Sequence, residues 1–228
     1  MQKIFFRFLD LIFENSCVIC NESSGQNSIC KLCESSFTIR NEKSNVKFFK
    51  EINVYSWGLY DGRLRDGIIA LKAGKKKLAS YFANKLTAFW EMIPEKIKNK
   101  NCIVVPVPSH KERIKERGYC QTSLISSSFA QKTGLYFSNT LITRSKQTKY
   151  MNSLNDINER KENIKNAFEI ISPIYTENIL IIDDILTSGS TICELARTIH
   201  RKHPGVSLIG LTIASGDKYD LVDNEQWE

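Results

Sequence analysis

The chain has 228 residues, of which 42% are hydrophobic, and its formal net charge at pH 7 is +7. This length allows one sizeable hydrophobic core and a small additional module. The sequence contains no run of 18 or more uncharged apolar residues, and its apolar start, residues 1–13, includes charged side chains and lacks a small-residue cleavage site. The sequence therefore argues against a membrane span and a secretory signal, and we expect a cytoplasmic protein. The basic charge suits nucleic acid or a polyphosphate ligand, but it also suits a solvated surface.

Four of the seven cysteines form two Cys-x-x-Cys pairs that are nine residues apart: Cys17, Cys20, Cys30 and Cys33. Two thiolate pairs are the usual ligands of a tetrahedral structural Zn²⁺, and disulfides or a redox pair are disfavoured in a cytoplasmic protein. Residues 1–45 are predicted to form a short helix and a zinc ribbon whose folding depends on the ion, because they contain few core-forming side chains. Residues 46–228 are predicted to form the main domain.

Apolar runs and helical stripes alternate along the main domain. In order they predict a strand over 52–60, helices ending at Gly74 and before Pro94, a strand over 102–107, a helix over 119–132, a strand over 141–143, a helix over 156–166, strands over 167–170 and 178–182, a helix over 190–203 and a strand over 206–213. This alternation is typical of an α/β fold with a parallel sheet flanked by helices.

Aromatic side chains accompany lysines near the first strand of the main domain: Phe48, Phe49, Tyr55, Trp57 and Tyr60, beside Lys47 and Lys50. Such side chains can stack on single-stranded bases, although aromatic residues in a strand more often belong to the core. The sequence leaves both alternatives open.

The strongest chemical motif spans residues 179–191. A continuous apolar run ends in Asp183 and Asp184, and a short loop rich in hydroxyl groups leads into a helix: Thr187, Ser188, Gly189, Ser190 and Thr191. Ligands of parallel sheets bind at the carboxyl ends of strands, where the start of a helix offers free N–H groups to a phosphate. Carboxylates accept hydrogen bonds from the two hydroxyls of a ribose. The motif therefore predicts a site for a 5'-phosphorylated ribose, whereas an ordinary capped helix would explain only one or two of these positions.

Residues 179–191 resemble the motif with which type I phosphoribosyltransferases bind phosphoribosyl pyrophosphate (PRPP). Other features resemble the ComF family, which is associated with natural competence, in the same chain order: the cysteine pairs, Leu71-Lys72 before Gly74, Val105-Pro106-Val107-Pro108, Arg117-Gly118-Tyr119 with Gln121, Arg144 with Thr148, Arg160 with Asn163, and Ala167-Phe168. The resemblance implies a type I phosphoribosyltransferase-like core, a PRPP site with Mg²⁺, and a role in DNA uptake and transformation with single-stranded DNA and other uptake proteins as partners.

In proteins of this kind, cations surround the diphosphate and carboxylates stand near the ribose. We therefore expect Asp183 and Asp184 to be the catalytic residues. Arg113 and Arg117, on a loop predicted over residues 108–117, together with Lys72, are expected to bind the diphosphate. The polar segment 144–154 can act as a lid or remain a plain loop.

No residue identifies an acceptor for the phosphoribosyl group. Three functions are therefore open: a phosphoribosyltransferase in DNA uptake, an inactive PRPP-sensing factor that binds single-stranded DNA, and a transferase of nucleotide salvage.

Overall fold

The computed structural model describes residues 16–41, 44–98, 101–146, 148 and 157–216. The predicted helix over residues 1–13 lies outside this part of the chain, as do residues 149–154 of the predicted lid. The elements in chain order are α1 (Lys31–Ser35), β1 (Val46–Phe48), β2 (Asn53–Leu59), α2 (Gly62–Lys72), α3 (Lys77–Met92), β3 (Ile103–Pro106), α4 (Lys111–Arg117), α5 (Gln121–Thr133), β4 (Tyr136–Phe137), β5 (Ile142–Arg144), α6 (Ile157–Ile164), β6 (Phe168–Ile170), β7 (Asn178–Leu186), α7 (Ser190–Lys202) and β8 (Ser207–Ser215).

Six strands form the central sheet in the order β1-β2-β8-β7-β3-β4. All neighbouring pairs are parallel except β1 and β2. The apolar run of β7 is buried from Ile179 to Ile182, as is usual for a central strand covered on both faces. The predicted α/β class, a mostly parallel sheet flanked by helices, is confirmed.

Two predicted strands belong to a different sheet. The segments predicted over 141–143 and 167–170 pair with each other as β5 and β6, in antiparallel register with Ile142 opposite Ile170 and Arg144 opposite Phe168. We expected them in the parallel series, and this was wrong. Strand alternation in the sequence predicts that strands exist, but pairing partners depend on tertiary packing.

The segment over residues 108–117 was predicted to be a loop, and this too was wrong from Lys111 onward. Residues Lys111–Arg117 form α4, which begins where the His110 ring accepts a hydrogen bond from the Glu112 N–H. The helix ends at Gly118, whose φ of 76° is the left-handed conformation that glycine adopts easily. Its seven residues are too polar to show an apolar stripe, which is why the sequence pattern missed it.

The cysteine-rich segment shares a core with the main domain. Cys17, Ile29 and Phe37 pack in the same hydrophobic cluster as Leu64 and Phe82. A side chain at Gly67 of α2 would meet both Phe82 and Ile19, so the small residue lets the module approach the helix closely. The boundary near residue 45 stays a prediction, but the buried face of the module is continuous with the main core.

Of the five aromatic residues considered for base stacking, Tyr55 and Trp57 are buried in the core. Trp57 packs edge to face against Phe37, with ring centroids 6.1 Å apart. Burial makes both rings inaccessible to a base, whereas Phe48 remains exposed.

Candidate functional site

A cavity of about 600 Å³ lies at the sheet edge where β2, β3 and β7 end. Parallel strands present their carboxyl ends at one edge, so residues distant in sequence meet there. The cavity lining includes both predicted carboxylates, Asp183 and Asp184, and the predicted diphosphate ligands Lys72, Arg113 and Arg117.

The two carboxylates have different surroundings. Asp184 is buried, and its Oδ2 atom lies 3.1 Å from Lys72 Nζ and accepts a hydrogen bond from Gln121 Nε2 at 3.1 Å. Asp183 is half-buried, and its Oδ1 atom accepts the Asp184 N–H at 2.9 Å. Asp184 is therefore a paired charge, while Asp183 is the carboxylate that retains acceptor capacity for a ligand.

Burial, followed by the negative charge of Asp184, raises the pKa of Asp183 to about 7. The Asp184 N–H and the positive charges of Lys72 and Arg144 oppose this shift. A carboxyl group whose pKa lies near neutrality exchanges its proton readily at physiological pH, a property that is common at functional sites.

The loop between β7 and α7, together with the first turn of α7, places its hydroxyl residues in two groups. Thr187 and Thr191 line the cavity. Ser188 and Ser190 are buried, and their hydroxyls hydrogen bond to each other at 2.8 Å. The threonines are thus positioned to meet a ligand, whereas the serines stabilise the loop from within.

Gly189 precedes α7 with a φ of 72°, in the left-handed region that favours glycine. A Cβ atom at this position would lie 2.5 Å from Cζ of Phe49, because the phenyl ring packs over the glycine. This contact and the backbone conformation explain the glycine structurally. Its predicted role in letting a phosphate approach the backbone stays a prediction.

Six cationic side chains and two acidic ones line the cavity. The cations are Arg65, Lys72, Arg113, Arg117, Arg144 and Arg160. All three predicted diphosphate ligands have polar partners in the protein: Lys72 pairs with Asp184, Arg117 donates to Gln121 Oε1 at 3.0 Å, and Arg113 donates to the carbonyl oxygen of Thr148 at 3.0 Å. An excess of positive charge around a concave site favours a polyanionic ligand.

For two residues of the site, the sequence showed a resemblance to the family but predicted no role. Gln121 bridges Arg117 and Asp184 through the two ends of its amide group. Arg144 is buried at the end of β5 and lines the cavity. No local pattern in the sequence places Arg144 in this cavity, because β5 meets the other cavity-lining segments only in the folded chain.

The four paired cysteines come together as predicted. Their Sγ atoms all lie within 4.8 Å of one another, and Cys17, Cys30 and Cys33 are buried. The Cys20 and Cys30 sulfurs are 3.7 Å apart, much farther than a disulfide bond of about 2 Å. Burial alone would raise the pKa of Cys17, but backbone N–H donors lower it to about 6, whereas burial and the neighbouring cysteines raise the pKa of Cys33, so the protons are shared unequally within the cluster. This cluster could hold a zinc ion.

One guanidinium contacts the cysteine cluster from the main domain. Arg63, in the first turn of α2, donates a hydrogen bond from an Nη atom to Cys33 Sγ at 3.1 Å. A positive donor next to a thiolate cluster offsets part of its negative charge, as outer partners of metal ligands commonly do.

Within the described part of the chain, no helix is long and apolar enough to cross a membrane.

Comparison with known proteins gives sequence relatives but no matching family model. The chain is 34% identical to the DNA utilization protein YhgH of Salmonella typhi over 98 residues, which cover 43% of each protein. It is 31% identical to YhgH of Escherichia coli strain K12 over 98 residues. The matched stretch thus spans less than half the length of these relatives. The competence protein ComFC of Bacillus subtilis is 23% identical over 202 residues, covering 86% of this chain and 76% of ComFC.

Among solved structures, similarity is found to two phosphoribosyltransferases. A hypoxanthine phosphoribosyltransferase from Staphylococcus aureus aligns with a TM-score of 0.36 and 14% identity over 61% of this chain and 64% of that one. The adenine phosphoribosyltransferase of Leishmania tarentolae aligns with a TM-score of 0.34 and 12% identity over 75% of this chain and 95% of that one. Both likenesses are too weak to define a function.

Proposed function

We propose that the chain is a ComF-type protein like ComFC and YhgH, that its cavity binds PRPP and that the protein acts in DNA uptake. One observation carries the ligand assignment: the acid pair, the two threonines at the start of α7 and in the loop before it, and an excess of cations share one cavity. Asp183 would accept hydrogen bonds from the ribose hydroxyls, and Thr187 and Thr191 would donate to the 5'-phosphate. The names of the relatives, which refer to competence and DNA utilization, support the proposed biological role.

Magnesium is the proposed companion of the ligand. Carboxylate oxygens and phosphate oxygens are the ligands that Mg²⁺ prefers, and Asp183 offers a carboxylate beside the space proposed for the diphosphate. When bound there, the ion would neutralise negative charge on the departing diphosphate.

The proposed reaction is transfer of the phosphoribosyl group to an acceptor. Cleavage of the anomeric bond places positive charge on the ribose and negative charge on the diphosphate. The carboxylate of Asp183 would stabilise the first of these charges, and the arginines that line the same cavity would stabilise the second. Asp184 would act through its ion pair, because the contact with Lys72 holds the ends of β7 and α2 together.

Calorimetric titration with PRPP and Mg²⁺ tests the ligand. We expect the wild-type protein to bind and the Asp183→Asn/Asp184→Asn double variant to lose binding. Asp66→Asn provides a matched control, because Asp66 is an exposed acid on α2 that is not part of the cavity lining. Equal affinity of wild type and double variant would remove the ribose role from the acid pair.

A pyrophosphate-release screen with nucleobases and oligonucleotides tests turnover. Release with one acceptor class would establish the transferase and identify that acceptor. Tight PRPP binding without release would instead favour a sensing role, and binding of single-stranded DNA would then be tested by its salt dependence.

A further inference from the structure

Two arginines from distant parts of the chain share one residue as hydrogen-bond partner. Arg113 on α4 donates from an Nη atom to the carbonyl oxygen of Thr148 at 3.0 Å. Arg144 at the end of β5 donates from an Nη atom to the hydroxyl oxygen of the same threonine. Thr148 is itself buried, so it fixes both guanidiniums beside each other at the cavity wall.

Arg144 has an unusual environment for a positive charge. It is 6% exposed, and its Nε atom is buried with no hydrogen-bond partner among the described residues. Burial and then the charge of Arg113 lower its pKa to about 10, while Asp183 acts in the opposite direction. The guanidinium lies 5.7 Å from the centroid of the Phe168 ring, which offers a weak attraction. Within the described residues no carboxylate comes within ion-pair distance of Arg144.

The buried charge of Arg144 is unfavourable unless an anion compensates it, and the half-buried Arg113 adds a second positive charge beside it. The other two cations that the sequence suggested for the diphosphate contact residues of the acid pair and its support: Lys72 forms an ion pair with Asp184, and Arg117 donates to Gln121. Guanidinium groups bind phosphate oxygens in pairs through their planar N–H donors. Two of them side by side match a ligand group with two adjacent phosphates.

We infer that Arg113 and Arg144 bind the diphosphate of the ligand and that Thr148 is the positioning residue that holds them together. This inference rests on the proposed function and deepens it, because it divides the cavity into a diphosphate side at Thr148 and a ribose phosphate side at the β7–α7 loop. Arg144 takes the place that the sequence assigned to Lys72 and Arg117, whose contacts hold Asp184 and Gln121 in position.

Two partial ligands separate the two sides of the cavity. Isothermal titration with inorganic pyrophosphate and, separately, with ribose 5-phosphate, both with Mg²⁺, is performed on wild type and variants. We expect Arg144→Gln to weaken pyrophosphate binding by tenfold or more, the usual effect of losing a charge-assisted hydrogen bond, and to leave ribose 5-phosphate affinity within about twofold. Lys132→Gln is the matched control, because Lys132 is an exposed cation on α5 that is not part of the cavity lining and should leave pyrophosphate affinity unchanged.

Thr148→Val tests the positioning role. It removes the hydroxyl that accepts a hydrogen bond from Arg144 and retains the carbonyl that accepts one from Arg113. We therefore expect the affinity for pyrophosphate to fall roughly threefold to tenfold, with no change in the affinity for ribose 5-phosphate. Arg144→Lys keeps the charge but not the planar donor pair, and it should restore only part of the affinity. Thermal unfolding of each variant identifies those that retain the fold.

The outcomes distinguish the inference from the proposed function. If wild type binds PRPP and pyrophosphate, and a folded Arg144→Gln or Arg144→Lys variant binds pyrophosphate as tightly as wild type, the diphosphate assignment is overturned and the proposed function stands. Equal losses for ribose 5-phosphate and pyrophosphate would also overturn it, since they indicate a structural role. If wild type binds none of the three ligands, the proposed function itself fails.

Discussion

Replacing Asp183 by Asn removes one of two adjacent carboxylates at the end of β7, and we expect it to stabilise the ligand-free protein while weakening ligand binding. The pKa of Asp183 rises from 3.8 to about 7 because of burial and the charge of Asp184. A carboxyl group whose pKa is raised in the folded state favours folding when it is protonated, and the native state becomes less stable as pH rises through that range. Asparagine has nearly the same shape as aspartate and carries no charge, so it removes the free-energy cost of holding a negative charge in this environment.

The magnitude follows from the shift. A rise from 3.8 to about 7 corresponds to an upper limit of about 4 kcal/mol at about 1.4 kcal/mol for each pKa unit. Because Asp183 is only half-buried, solvent screens part of this energy, and we expect a gain of roughly 1–3 kcal/mol at pH 8. The linkage relation predicts about a third of that gain at pH 5. It predicts no gain at a pH well below 4, where Asp183 is protonated in both the folded and the unfolded state.

Urea unfolding of wild type and Asp183→Asn at pH 5 and pH 8, each followed by circular dichroism, measures this difference. Asp184→Asn is the control with the opposite sign: it leaves the Lys72 ammonium without its carboxylate and should destabilise the protein at both pH values. A loss of stability for Asp183→Asn at pH 8, or a gain of the same size at both pH values, would show that the negative charge of Asp183 does not destabilise the folded protein.

Three further predictions concern the loop and the metal cluster. Gly189→Ala should cost about 1–3 kcal/mol in urea unfolding, because alanine is strained at a φ of 72° and would collide with Phe49, whereas Gly205→Ala, with open space around it, should have little effect. Purified protein should contain one zinc ion by mass spectrometry, and a strong chelator should lower its melting temperature markedly, since structural zinc can contribute about 10 kcal/mol to folding. Arg63→Gln should weaken zinc retention against a competing chelator roughly tenfold by removing the donor to Cys33, and retention equal to wild type would argue against that contact.

The elements that carry strong local patterns could be predicted from the sequence. The buried run of β7 followed by an acid pair and a hydroxyl-rich turn predicted a strand, a loop and a helix, and the structure has all three in that order. The two cysteine pairs likewise predicted a cluster because four soft ligands at that spacing have few other uses. In both cases the chemistry is encoded within a short stretch of chain.

Contacts between distant segments could not be predicted in this way. The pairing of β5 with β6 and the approach of Phe49 to Gly189 depend on how helices and strands pack, and no local pattern records them. The helix at Lys111–Arg117 was missed for a related reason: it buries no side chain, so its sequence lacks the apolar stripe on which helix prediction depends.

By itself the sequence determined that the chain is an α/β protein with an acid pair near a strand end and a cluster of four cysteines that could hold a metal ion. Only the tertiary structure decided which of the charged side chains lie next to one another. Lys72 lies against Asp184, and Arg144 lies beside Arg113 at Thr148. The sequence specifies which side chains are charged. Whether a charge is compensated by an opposite one depends on distances of a few ångströms between groups that only the folded backbone brings together.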